Sequence, residues 1–165
     1  LDVRVIDGAE EARLSAQGVL LGWPGSFGLV CDIGGSSMEL AEISRGRVGR
    51  CVTSPLGPLK LRDLHADAKQ RRAHIRETVE NLAHHMGPQN DRLFLVGGSW
   101  RAIARIDMLR RSYPLQVLHE YRMSIDDVLA TAKLINDGDL EPPRRKAGVS
   151  SGRAALVPMS SQVLV

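Results

Sequence analysis

The chain contains 165 residues and has a mass of 18.0 kDa. One domain of that size removes roughly 70% of its unfolded surface from water, so neither disulfide staples nor a structural metal is required. A composition of 43% apolar and 25% charged residues excludes a disordered chain, and no apolar run reaches the roughly 18–20 residues a membrane span needs.

Lys and Arg outnumber Asp and Glu by 22 to 19, with clusters at Arg71-Arg72, Arg110-Arg111 and Arg144-Arg145-Lys146. Such clusters are either solvated helix faces or a surface that attracts polyanions. Aromatic residues are only 4% and do not interleave with the basic ones, which argues against a specific nucleic-acid partner. Cys31 and Cys51 lack CxxC or zinc spacing and read as buried thiols in a reducing, cytoplasmic setting. The first residue is Leu1 rather than Met, no secretory signal pattern follows, and Val3 and Val5 are already spaced as in a strand. The expectation is a piece of a longer protein.

In chain order, residues 9–20 form a helix, with Glu10 and Glu11 at its start, apolar Ala12 and Leu14, and Gly18 near its end. Gly22, Pro24 and Gly25 mark a loop. The run 27–34 is almost continuously apolar, as a strand covered on both faces should be. Residues 37–43 alternate, and the turn around Gly46 leads into 48–54, so the three strands make an antiparallel meander. Ile75, Val79, Leu82, Ala83 and Met86 recur at helical spacing within 67–86, which Gly87-Pro88 ends. A strand is expected at 92–96, a helix at 99–110, a strand at 115–118, and a helix at 124–136 opened by a Ser124/Asp127 capping box. Residues 151–165 read as helical, interrupted by Pro158. The order predicts one α/β domain over 1–165. Its mixed sheet has five strands, the meander plus 92–96 and 115–118, with helices on both faces.

Chemistry concentrates where strands run into glycine pairs. Asp32-Ile33-Gly34-Gly35-Ser36-Ser37-Met38-Glu39 sets a carboxylate at a strand end, two glycines in the turn and two hydroxyls before the next strand. Turn amides can converge on an anion there, and Asp32 is placed to hold a hydrated Mg²⁺ against a phosphate. The alternative is a hairpin turn whose Asp satisfies loop amides. Gly97-Gly98-Ser99 repeats the pattern ahead of a helix, where amides favour a phosphate, or where glycine simply allows close strand–helix packing. Neither pair matches a P-loop or a dinucleotide fingerprint. Glu10 and Glu11 either complement the helix dipole or supply a general base. His65, His74, His84, His85 and His119 show no metal-ligand pattern.

Taken together, IDGAEEARLSAQGV (6–19), LVCDIGGSSMELAEI (29–43), TSPLGPLKL (53–61), LFLVGGSWRAIARI (93–106), LHEYRMS (118–124) and SGRAALVPM (151–159) resemble, in that order, the Ppx/GppA family of exopolyphosphatases and guanosine pentaphosphate phosphatases, part of the actin-like superfamily. The resemblance implies a ribonuclease-H/actin-like fold and equates the chain with the C-terminal lobe of a two-lobed enzyme whose N-terminal lobe, with its own D-x-G-S loop, is missing. It implies that Glu11, the second Glu of the family's G-x-E-E-A-R stretch, activates water. It further implies that Asp32 and Glu39 are metal-coordinating or catalytic carboxylates flanking a phosphate loop of Gly34, Gly35, Ser36 and Ser37. Ser36 stands where the family has a third Gly, Met38 where it has Thr, and Ala155 where its R-A-D stretch has an acid. The implied activity of the full-length protein is Mg²⁺-dependent release of terminal phosphate from inorganic polyphosphate or pppGpp. The isolated lobe should be nearly silent, because phosphoryl transfer needs positioning and charge neutralisation from both sides. A polyphosphate- or alarmone-binding module without hydrolysis, and an ATP-dependent kinase lobe, are the competing readings. The partners implied are the missing lobe and a second copy in a homodimer.

Overall fold

The computed structural model describes residues 2–64, 67–87, 92–138 and 145–165; of the residues singled out above, Leu1, His65, Pro88 and Arg144 lie outside them. The first helix, α1 (Gly8–Gly22), opens on Asp7, whose side chain accepts the Glu10 N–H at 2.9 Å. The meander follows as β1 (Gly28–Ile33), β2 (Met38–Ser44) and β3 (Arg47–Ser54), antiparallel throughout. Arg45 and Gly46 both take positive φ, 50° and 74°, the two-residue turn whose twist suits a tight hairpin. Then come α2 (Pro58–Leu64), α3 (Ala68–Met86), β4 (Leu93–Val96) and α4 (Gly98–Arg110). The chain continues with α5 (Ile125–Asp137), opened by the expected capping box, then α6 (Ser151–Ala154) and α7 (Val157–Leu164). Strand β4 joins β1 in parallel, so the sheet is mixed, with order β3-β2-β1-β4.

Strand periodicity sorts the side chains to two faces. Cys31, Ile33, Met38 and Leu40 meet Ile75, Leu82 and Met86 of α3, Trp100, Ile103 and Ile106 of α4, Ile135 of α5 and Val157 of α7. Val30, Ala41 and Ile43 face the other way, against Ala12, Ala16 and Val19 of α1. Helices therefore cover both faces. Cys31 is buried, and that burial pushes its thiol up to about 12, whereas Cys51, on the outer strand β3, is only half-buried.

Among the described residues the sheet has four strands, not five. Residues 115–118 form no strand: Leu115 and Val117 are 60% and 57% exposed, so the alternation there has no face to bury. Side chains tether this segment instead of a backbone ladder. His119 stacks on Trp23 with ring centroids 5.1 Å apart, and the Tyr121 hydroxyl donates to Asp107 at 2.6 Å. Ser112 and Glu120 take positive φ on either side and turn the backbone out of extended geometry. Helix α2 was not expected; its signal was Pro58 at the first helical position, where a missing N–H costs nothing. The C-terminal helical stretch breaks ahead of Pro158, which sits in the first turn of α7 rather than in a helix interior.

Asp107 is fully buried in α4 and gathers the Thr131 hydroxyl of α5 at 2.7 Å, the Tyr121 hydroxyl, and the Arg110 guanidinium at 2.8 Å. Arg110 also reaches Asp127 at 2.9 Å, so one ion network joins α4, the following segment and α5. Losing Asp107 would strip the Thr131 and Tyr121 hydroxyls of their acceptor, while Arg110 keeps Asp127. Asp107→Ala should lower the unfolding free energy by about 1–3 kcal/mol and Tyr121→Phe by about 1 kcal/mol, as read from urea melts.

Candidate active site

Hairpin register decides which side chains meet. The Gly34–Ser37 turn closes between Ile33 and Met38, which sets Asp32 directly opposite Glu39, and Glu39 in turn opposite Thr53. On the parallel side Asp32 pairs with Val96. One row thus crosses all four strands as Val96, Asp32, Glu39 and Thr53, and strand alternation turns it toward the face that α1 covers. Met38, one residue from Glu39, points to the opposite face and is buried in the core, so its departure from Thr fills the core instead of touching the row.

Helix α1 presents a stripe to that row. Gly8, Glu11, Ala12, Ser15, Ala16 and Val19 fall at helical spacing on one side. A Cβ at Gly8 would lie 2.7 Å from Thr53 Cβ, so glycine is what lets the helix start rest on Thr53. Ala12 and Ala16 are buried. Between them the Ser15 hydroxyl donates to Asp32 Oδ2. Glu11 lies one turn before Ser15 and is exposed. Glu10 points elsewhere and pairs with Arg13, which holds its carboxyl below the ordinary range.

Glu39 is 1% exposed. Its Oε1 accepts the Thr53 hydroxyl at 3.0 Å, while Oε2 is buried without a hydrogen-bond partner. Burial pushes the Glu39 carboxyl upward; the Ser37 and Thr53 hydroxyls oppose this, and the negative charges of Glu11 and Asp32 add to it. The three acids predicted from the sequence therefore share one electrostatic neighbourhood. Among the described residues, no group of three His, Cys, Asp or Glu side chains is arranged to hold a metal ion. A pair of carboxylates with one unpartnered buried oxygen suits Mg²⁺, which takes one or two carboxylates and completes its shell with phosphate oxygens and water.

Both glycine turns border this row. In the first, the Gly34 N–H donates to Ser37 O at 3.0 Å, and Ser36 is exposed. The turn is buttressed from behind, because the Leu59 N–H at the start of α2 donates to Gly35 O at 2.9 Å. A Cβ at Gly57 would come within 2.1 Å of the Ser36 carbonyl carbon, so only glycine fits beneath the turn. In the second turn Gly97 has φ 110°, and a Cβ there would lie 3.0 Å from Asp32 Oδ1. Ser99, by contrast, is buried at the start of α4.

Beyond Gly98 opens a cavity of about 410 Å³, lined by Arg101, Arg105 and Arg153 together with Ala102, Leu118 and Val149. Arg153 lies so close to Gly98 that a Cβ there would be 2.4 Å from its guanidinium carbon. Sequence reading missed this trio because its members come from two distant segments. It also missed Thr53, Ser15 and Gly57, although Ser15 sits four residues after Glu11, on the same helix face.

The position of Glu39 has a measurable consequence. Its folded pKa lies above the ordinary 4.5, so between the two values the native chain holds the proton more tightly than the unfolded chain. The Glu39 contribution to stability is present below that interval and is lost as pH rises through the folded pKa. Urea melts from about pH 4 to about pH 8 should show this decline in the native chain and its absence in Glu39→Gln; parallel profiles would contradict the assignment.

Comparison with known proteins agrees with the fold. An exopolyphosphatase from Cytophaga hutchinsonii superposes with a TM-score of 0.83 at 22% identity, over 99% of this chain and 57% of that one. A Ppx/GppA enzyme from Aquifex aeolicus gives 0.76 at 17% identity, over 99% and 57%, and an exopolyphosphatase-like protein gives 0.74 at 19%, over 98% and 56%. The chain thus spans little more than half the length of these relatives, and its mixed sheet is the actin-like fold of exopolyphosphatases. A model of the Ppx/GppA phosphatase family matches residues 1–164. With nearly every residue accounted for by that one pattern, the chain belongs to the Ppx/GppA phosphatase family.

Proposed function

We propose that the chain is one lobe of a phosphoanhydride hydrolase that releases the terminal phosphate of inorganic polyphosphate or pppGpp. The observation that carries this reading is the pairing of Asp32 with Glu39 across two strands, beneath the helix that carries Glu11. In this reading Asp32 and Glu39 would hold Mg²⁺, which supplies charge neutralisation to the transferred phosphoryl group when bound. Glu11, exposed at the edge of the row, takes a proton from the attacking water. Gly34, Gly35, Ser36, Ser37, Gly97 and Gly98 leave the backbone open to phosphate oxygens, with Ser99 serving to pack the second turn. The arginine cavity favours a polyanion. A guanidinium resting on the N-terminus of α4 opposes the helix dipole, and an anion placed between them would satisfy both.

This lobe supplies one wall of the crevice, and the other belongs to the remaining 40-odd per cent of length that its relatives possess. The isolated chain therefore binds the polyanion and turns over little of it. A cytoplasmic, homodimeric parent completes the reading. In the full-length protein with Mg²⁺, Glu11→Ala should slow phosphate release by about 10²–10⁴-fold with an unchanged melting temperature. Undiminished turnover would remove Glu11 from the chemistry. Tight polyphosphate binding without hydrolysis by the full-length protein would favour the sensing module instead, and phosphate transfer from ATP to a second substrate would favour the kinase.

A further inference from the structure

The stripe by which α1 meets the sheet is built from Ala12, Ala16 and Val19, all buried, with one hydroxyl among them. A hydroxyl facing an apolar seam needs a partner, and Ser15 finds it in Asp32 Oδ2. The bond spans 17 residues of sequence and crosses from helix to strand, so it belongs to tertiary structure and not to a local turn. It has two geometric effects. It occupies one carboxylate oxygen of Asp32 and leaves Oδ1 facing the second glycine turn, where a Cβ at position 97 would intrude to 3.0 Å. It also ties α1 in rotation to the carboxylate row, and Glu11 lies one turn earlier on that same helix.

We propose that Ser15 is the positioning residue of this site: its hydroxyl selects which Asp32 oxygen is presented and keeps the Glu11 face of α1 turned toward the row. The metal-dependent part of this statement rests on the function proposed above; the orientation of Asp32 does not. An outer partner that orients a ligating carboxylate typically changes metal affinity by about 10–100-fold when removed.

The test uses the chain itself, with Ser15→Ala and the hydroxyl-retaining Ser15→Thr compared by two measurements. Side-chain scalar couplings by NMR report the Asp32 χ1 rotamer, and titration with Mn²⁺ reports affinity. The native chain and Ser15→Thr should show one Asp32 rotamer and matching Mn²⁺ affinity. Ser15→Ala should show averaged couplings and about 10-fold weaker Mn²⁺ binding. An Asp32 rotamer equally fixed in Ser15→Ala, or failure of Ser15→Thr to restore the native couplings, overturns the proposal. A native chain with a fixed Asp32 that binds no Mn²⁺ would instead overturn the metal role of Asp32, with the Ser15 assignment decided by the couplings.

Discussion

Two carboxylates directly opposite one another on adjacent strands repel, and a sheet selected for stability alone would not place Asp32 against Glu39. The cost is compounded because Glu39 is buried with one oxygen unpartnered, and leaving such a group unsatisfied typically costs about 1–3 kcal/mol or more for a charged one. The surrounding structure manages this pair. Thr53 takes one Glu39 oxygen and Ser15 takes one Asp32 oxygen, so half of the carboxylate capacity is satisfied by the fold.

That arrangement is affordable because the stabilising core lies on the other side of the sheet. Helices α3, α4, α5 and α7 bury a broad apolar cluster there, reinforced by the Asp107 ion network between α4 and α5. The site face carries a thinner layer, chiefly α1, packed through alanines that let it lie close to the strands. Small residues are as necessary here as the acids. Gly8 admits Thr53 and Gly57 admits the first turn, two contacts where a methyl group would collide, while Gly97, with φ 110°, lies close to Asp32 and Gly98 lies against the Arg153 guanidinium.

The same asymmetry shows in where the polar groups of the chain gather. Its acids and its glycine turns lie along one row, and its arginine cavity continues from the second turn. Arg101, Arg105 and Arg153 line a cavity that borders Gly98 of that second turn.

Much of this was legible in the order of residues. Alternation and apolar runs marked the meander, the Ser124/Asp127 box marked the start of α5, and the two strand–Gly–Gly–Ser segments drew attention to Asp32, Glu39 and Gly97, because backbone conformation and local periodicity are written within a few neighbouring positions. Residues 115–118 have strand-like composition, but a strand exists only if a neighbour accepts its ladder, and nothing local reveals that His119 and Tyr121 anchor the segment by their side chains instead. The sequence alone could nominate the acids; only the register of β1 on β2 made them neighbours, and only the docking of α1 brought Ser15 and Glu11 above them. Those are contacts between distant segments, set by how the two faces of the sheet bury their apolar area, and so they were decided by tertiary structure.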